Sequence, residues 1–309
     1  MKYAIIFPGQ GSQSVGMLTD LAANFPIVEE TFSLASDVLG FDLWKLSQED
    51  HDGLNQTQNT QPAMLAAGYA TYKVLANEAD LSPVCMAGHS LGEYTALVAS
   101  GSLSFSDGIA LVKKRAELMQ SAVPEGMGAM AAILGLDDDT VVKVCNEYTG
   151  DGIVEAVNFN ATGQVVIAGN RDAVERACES MKDQGAKRAL VLPVSVPSHC
   201  SLMSDAAIEF ANTINATKFS TGDVDVVHNF DATVASDIDD IRSKLVAQLH
   251  KPVLWTDTVK SIHNRGVEKL IESGPGKVLA GLTRRIEKSL TANAVIDSNS
   301  VTTTIEEIL

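Results

Sequence analysis

The chain has 309 residues, 39 acidic and 23 basic, for a formal net charge of −16. Hydrophobic residues at 45% and charged residues at 20% are ordinary for a folded globular protein and exclude general disorder. So acidic a balance argues against a nucleic-acid backbone as the main partner. The length suits one large domain or two unequal ones, with a core that needs neither disulfides nor a structural metal.

The run Tyr3 to Phe7 reads as a buried first strand ended by Pro8, too short for the apolar region of a signal peptide. No stretch of about 18 uninterrupted apolar residues occurs, so no membrane partner is expected. Thr60-Gln61-Pro62 predicts a helix start, and the helix continues through Met64, Leu65, Tyr69 and Leu75. Pro83 to Ala87 is a short apolar run ending at Gly88. Leu91 to Ser100 then reads as a helix stopped by Gly101, and Ser106-Asp107 opens another that reaches about Ala122.

The next seventy residues keep a rhythm of their own. Strands are expected at Ala129 to Leu134, Val154 to Phe159, Gln164 to Ala168 and Arg188 to Val194. Helices fall between them at Asp137 to Tyr148 and Arg171 to Lys182. This βαββαβ order is the ferredoxin-like pattern. The chain therefore reads as an α/β protein: a discontinuous large domain with a parallel sheet (1–125 and 196–309) and an inserted α+β subdomain (126–195). Cys85, Cys145, Cys178 and Cys200 form no C-x-x-C pair and suggest neither a metal site nor a disulfide framework. A reducing cytoplasm is the simplest location.

Gly88-His89-Ser90-Leu91-Gly92 is a G-x-S-x-G placed between a short strand and a helix, the setting of a nucleophile elbow. The helix N-terminus offers the Leu91 N–H to a developing oxyanion. A serine hydroxyl needs a base. Six histidines are available: His51, His89, His199, His228, His250 and His263. His89 adjoins Ser90, so its side chain should diverge. His199, in Pro197-Ser198-His199 before a helix expected from Cys200 to Ile214, is the preferred base if its loop reaches the carboxyl edge of the parallel sheet. A solvated loop histidine is the alternative.

Arg115 shares a helix face with Val112 and Met119, while Lys113, Lys114 and Glu117 lie on other sides. A guanidinium on an apolar stripe needs an anion, either a substrate carboxylate or an internal Asp or Glu. Gly9-Gln10-Gly11-Ser12-Gln13 fails the G-x-G-x-x-G and P-loop patterns. It can instead bring the Gln10 N–H beside that of Leu91 as a second oxyanion donor.

At these residues the chain resembles the malonyl-CoA:acyl-carrier-protein transacylases. The resemblance is carried by Phe7-Pro8-Gly9-Gln10-Gly11-Ser12-Gln13, by Gly88-His89-Ser90-Leu91-Gly92-Glu93-Tyr94 and by Lys114-Arg115-Ala116-Glu117-Leu118-Met119. Val196-Pro197-Ser198-His199, Asn158-Phe159-Asn160 and Gly274-Pro275-Gly276-Lys277 add to it. It covers about residues 3 to 285, and the tail from Thr291 is assigned nothing. It implies a hydrolase-like α/β domain with a ferredoxin-like insertion. It also implies Ser90 as nucleophile, His199 as base, Gln10 and Leu91 as oxyanion donors, Arg115 on the malonyl carboxylate, and the Gln248 backbone carbonyl orienting His199. The substrates would be malonyl-CoA and the phosphopantetheine thiol of acyl carrier protein, handled by a monomer without metal or cofactor. The rival reading is a serine esterase or thioesterase, which would need an acidic third member; Asp137, Asp138, Asp139, Asp151, Asp172 and Asp183 all fall in the insertion.

Overall fold

The computed structural model describes residues 1–194 and 196–308. Among them the strands, in chain order, are β1 (Tyr3–Phe7), β2 (Met86–Gly88), β3 (Gly128–Leu134), β4 (Val154–Ala161), β5 (Gln164–Asn170), β6 (Arg188–Val191), β7 (Val226–Val227), β8 (Lys269–Ser273) and β9 (Thr291–Val295). They form two sheets.

The first sheet runs β7-β2-β1-β8-β9 with every pairing parallel. Helices cover both faces, which is why all five residues of β1 are buried and read as an unbroken apolar run. Alternate side chains enter opposite cores: Ile5 and Phe7 join the helix Thr57–Glu78, whereas Ala4 and Ile6 meet Trp255 and Val259.

The second sheet runs β4-β5-β3-β6, all antiparallel, the ferredoxin-like order. One face packs Ala129, Ala131 and Ile133 against Val141, Val174 and Met181 of the helices Asp138–Asn146 and Arg171–Asp183. The other face turns Met130 and Val166 toward the large body and into a shared cavity.

Several boundaries differ from the sequence reading. The helix expected at Thr60 begins at Thr57, behind a Gln56 that makes no side-chain cap, so the usual start signal is missing and Pro62 lies inside the second turn. Strand β6 stops at Val191 because Pro193 has no N–H for the ladder. The helix expected from Cys200 is a 3₁₀ turn, Ser201–Met203, followed by the helix Ser204–Ala216. The unassigned tail supplies edge strand β9 and the helix Ser298–Ile308. No helix among the described residues is long and apolar enough to cross a membrane.

Candidate active site

The G-x-S-x-G sits where β2 ends and the helix Gly92–Ala99 begins. Ser90 has φ 51°, a left-handed conformation that costs a non-glycine residue about 1–3 kcal/mol. Its flanking glycines are forced by contact. A Cβ on Gly88 would lie 1.9 Å from the Gly92 carbonyl carbon, and one on Gly92 would lie 2.1 Å from the Phe7 carbonyl oxygen. His89 N–H donates to that same Phe7 oxygen at 3.0 Å, tying the elbow to the end of β1. The imidazole of His89 does diverge from Ser90, with Nε2 2.8 Å from Asn160 Oδ1 on β4, and burial lowers its pKa.

Ser90 Oγ lies 2.7 Å from His199 Nε2, and His199 Nδ1 lies 2.7 Å from the Gln248 carbonyl oxygen. A carbonyl only accepts, so Nδ1 carries the proton and Nε2 is left to accept from the serine. The Gln248 oxygen is open for a local reason. It belongs to the last turn of the helix Ile238–His250, and the N–H that would continue the ladder is absent at Pro252. His199 is 2% exposed, and burial, reinforced by the Arg115 charge, pushes its pKa down to about 3. It is a neutral acceptor throughout the physiological range. No carboxylate among the described residues bonds its ring.

His199 does not arrive by the route the sequence suggested. It stands on the segment leaving β6 of the antiparallel sheet, not on a loop at the parallel sheet's edge. That segment is clamped at both ends: Pro197 packs on Gly128 of β3, and Ser201 bonds Glu155 of β4 through its N–H and hydroxyl.

Gln10, Leu91, Ser90, Arg115 and His199 line one cavity of about 120 Å³, closed on the small-sheet side by Met130, Val166, Leu192 and Val194. The backbone N–H groups of Gln10 and Leu91 have no partner among the described residues. Gln248 stands just behind the cavity wall.

Arg115 is 1% exposed and, among the described residues, makes no direct ion pair with an Asp or Glu. Its guanidinium donates to three neutral acceptors: Gln61 Oε1 at 2.8 Å, Gln248 Oε1 at 3.0 Å and Ser90 Oγ at 3.2 Å. It also lies over the Tyr94 ring, and Nε has no partner. Its direct contacts are thus all neutral, and the buried Glu93 carboxylate acts on it only at a distance, across the Gln248 amide. A direct anionic contact is what the position lacks.

Sequence reasoning missed three contributors. Asn229 follows β7 and accepts the Ser90 N–H at 2.6 Å while donating to the Gly88 carbonyl at 2.7 Å. Gln61 steadies Arg115. Glu93, fully buried one residue beyond the motif, accepts from His228, Asn229 and Gln248. Pro252, four residues on, is a chain signal that could have marked the Gln248 carbonyl, which the resemblance alone supplied; nothing local marks Asn229 or Gln61.

A hydrogen-bonded Ser–His pair, two free N–H groups and a buried guanidinium with no direct anionic partner define an acyl-transfer site, and the chain belongs to the acyl transferase domain family, whose model matches residues 4–304. It is 52% identical over 306 residues to the malonyl CoA-acyl carrier protein transacylase of Escherichia coli K12, covering 99% of both chains. To the Bacillus subtilis protein of the same name it is 41% identical over 309 residues, 99% of this chain and 97% of that one. Among solved structures, a malonyl-transacylase in complex with its type II polyketide acyl-carrier protein superposes with TM-score 0.98 at 51% identity, over 99% of this chain and 100% of that one. The acyl carrier protein S-malonyltransferase of Vibrio cholerae gives 0.96 at 51% identity, over 98% of this chain and 100% of that one.

Proposed function

We propose that this acyltransferase moves the malonyl group of malonyl-CoA onto the phosphopantetheine thiol of acyl carrier protein, supplying fatty acid elongation. The observation that carries the reading is Arg115, a buried cation without a carboxylate partner, 3.2 Å from the nucleophile. Its planar fork suits a substrate carboxylate.

In this reading Ser90 Oγ attacks the thioester carbonyl as His199 Nε2 takes its proton. The oxyanion forms against the N–H groups of Gln10 and Leu91, each worth about 3–4 kcal/mol to the transition state. Collapse expels CoA thiol, which receives the proton from His199, and leaves malonyl-Ser90. The carrier-protein thiol then attacks that ester by the same steps, so the kinetics are ping-pong. The inserted unit (126–195) supplies the apolar wall that shields the ester from water, and the cytoplasm is where these substrates would be met.

A serine hydrolase is disfavoured on two counts. The third position of its triad is filled by a backbone carbonyl, and Arg115 would have no task on a neutral ester. Intact mass after mixing with malonyl-CoA tests the proposal. One malonyl group should appear, map to Ser90, persist without carrier protein and discharge onto the carrier when it is added. A label on a cysteine, an unchanged yield in Ser90→Ala, or steady release of free malonate would overturn it.

A further inference from the structure

We propose that Glu93 is the positioning residue of this site, a buried carboxylate that holds Ser90 in its strained conformation and fixes the Gln248 amide; the inference rests on the acyl-transfer reading above.

The strained Ser90 residue is held from both sides. Its N–H donates to Asn229 Oδ1 at 2.6 Å, and its carbonyl accepts from Gln248 Nε2 at 2.9 Å. Both holders are tied to the same carboxylate oxygen, since Glu93 Oε2 accepts from the Asn229 N–H at 2.8 Å and from Gln248 Nε2 at 3.0 Å. The other oxygen accepts from His228 Nδ1 at 2.8 Å. Glu93 is wholly buried, yet no Lys or Arg pairs with it directly. Such a group is costly to bury, so three converging donors set its place and it sets theirs.

The Gln248 amide is where the effect reaches the chemistry. Both hydrogens of Nε2 are used, on Ser90 and on Glu93, which leaves Oε1 facing the Arg115 guanidinium. A flipped amide would set its oxygen against the carboxylate and its N–H groups against the guanidinium. The carboxylate thus fixes the orientation, and through it both the place of Arg115 and the helix turn whose carbonyl meets His199. Leaving the buried donors of Asn229, Gln248 and His228 without their acceptor is costly enough for a loss of about ten- to a hundredfold.

The test is single-turnover acylation of Ser90 by malonyl-CoA, by acetyl-CoA and by p-nitrophenyl acetate in Glu93→Ala and Glu93→Gln. Glu93→Ala should slow acylation ten- to a hundredfold with all three reagents and also shrink the malonyl-to-acetyl ratio, which a mere loss of stability would not change. Glu93→Gln should recover most of the rate, because its one oxygen can serve Asn229 and Gln248 while its amide donates to a His228 carrying its proton on Nε2. Glu93→Ala combined with Gln248→Ala should lose less than the sum of the two single losses, because the share that passes through Gln248 is already gone and only the share through Asn229 remains. If Glu93→Ala does not fold, Glu93→Met, which fills the space without an acceptor, takes its place. Wild-type rate and ratio in a folded variant, or additive losses in the double variant, would overturn the proposal. Should the wild type take p-nitrophenyl acetate but not malonyl-CoA, the malonyl reading falls while the Glu93 comparison still decides this one.

Discussion

His199 Nδ1 lies 2.7 Å from the carbonyl oxygen of Gln248, in the position where a serine hydrolase would carry an aspartate. A carbonyl fixes the tautomer as a carboxylate does, but supplies no negative charge to hold an imidazolium. With burial and Arg115 both opposing the cation, the base is weak and stays unprotonated. The acid limb of Ser90 acylation should therefore lie far below the ordinary histidine midpoint of about 6.5. Single-turnover rates between pH 5 and pH 8 should show no loss centred near 6.5; a midpoint there would mean either that His199 is not buried or that it is not the base.

The same burial has a cost in stability, with a definite sign. A histidine whose folded pKa is depressed binds fewer protons than the unfolded chain wherever pH lies between the two values. His199 and His89 both have lowered values. Their contribution is neutral above about pH 6.5 and becomes destabilising as pH falls toward 3, at up to about 1.4 kcal/mol per unit for His199. The melting temperature should drop on acidification across this window, and less steeply in His199→Asn. Parallel slopes for variant and wild type would place the acid sensitivity elsewhere.

Exchanging the two neighbouring histidines separates a base from a brace. His199→Ala should slow acylation by about 10²–10⁴-fold, the usual contribution of general base catalysis. His89→Ala removes a bond to Asn160 and a packing contact with Trp255, so it should lower the rate less and leave the pH profile in place. A His89→Ala variant slowed as much as expected for His199→Ala, with His199→Ala close to the wild-type rate, would reverse the assignment.

Much of this architecture was visible in the chain because it is written locally. The βαββαβ unit declares itself by alternating strand and helix signals, and the elbow by glycines that physical contact demands at 88 and 92. Where a signal was missing the boundary slid, as at Gln56, which begins a helix without capping it. Features that depend on distant segments meeting were hidden. Asn229 lies 139 residues from Ser90, and no spacing announces that they touch. His199 was expected beside Ser90 and lies there, but by another path, since it stands on the segment that leaves the small sheet. Gln248 followed from family resemblance, although Pro252 marks its carbonyl as unpaired.

The glycines themselves give a stability test. In Gly92→Ala the new Cβ would meet the Phe7 carbonyl oxygen at 2.1 Å, against backbone that cannot swing aside. Separating β1 from the elbow helix would displace Gln10 relative to Leu91 as well. The variant should lose roughly 1–3 kcal/mol or more of stability and most of its acylation rate. Gly281, inside the helix Val278–Ile286 and with nothing within 4 Å of an added Cβ, is the control: its alanine variant should keep the rate and gain about 0.5–1 kcal/mol of stability. Equal melting temperatures for the two variants would mean that the elbow is looser than its contacts require.

Selectivity is the sharpest test of what Arg115 does. Malonyl-CoA carries a carboxylate that acetyl-CoA lacks, and a charged hydrogen bond to it is worth about 1.5–3 kcal/mol, or ten- to a hundredfold in relative rate. Arg115 also donates to Ser90 Oγ and to Gln248, so its removal should slow acetyl transfer to some degree. The expected result for Arg115→Ala is a large loss with malonyl-CoA and a smaller one with acetyl-CoA. Arg115→Lys should restore part of the malonyl rate, having the charge but not the fork. A second signature comes from the base. The Arg115 charge is one cause of the low His199 pKa, so without it the imidazolium is less opposed and the acid limb should move upward. Melting temperatures must accompany the kinetics, because an unfolded variant loses both substrates alike. If a folded Arg115→Ala loses malonyl and acetyl transfer equally while the acid limb stays put, the guanidinium is a structural brace and the substrate carboxylate is met by another group.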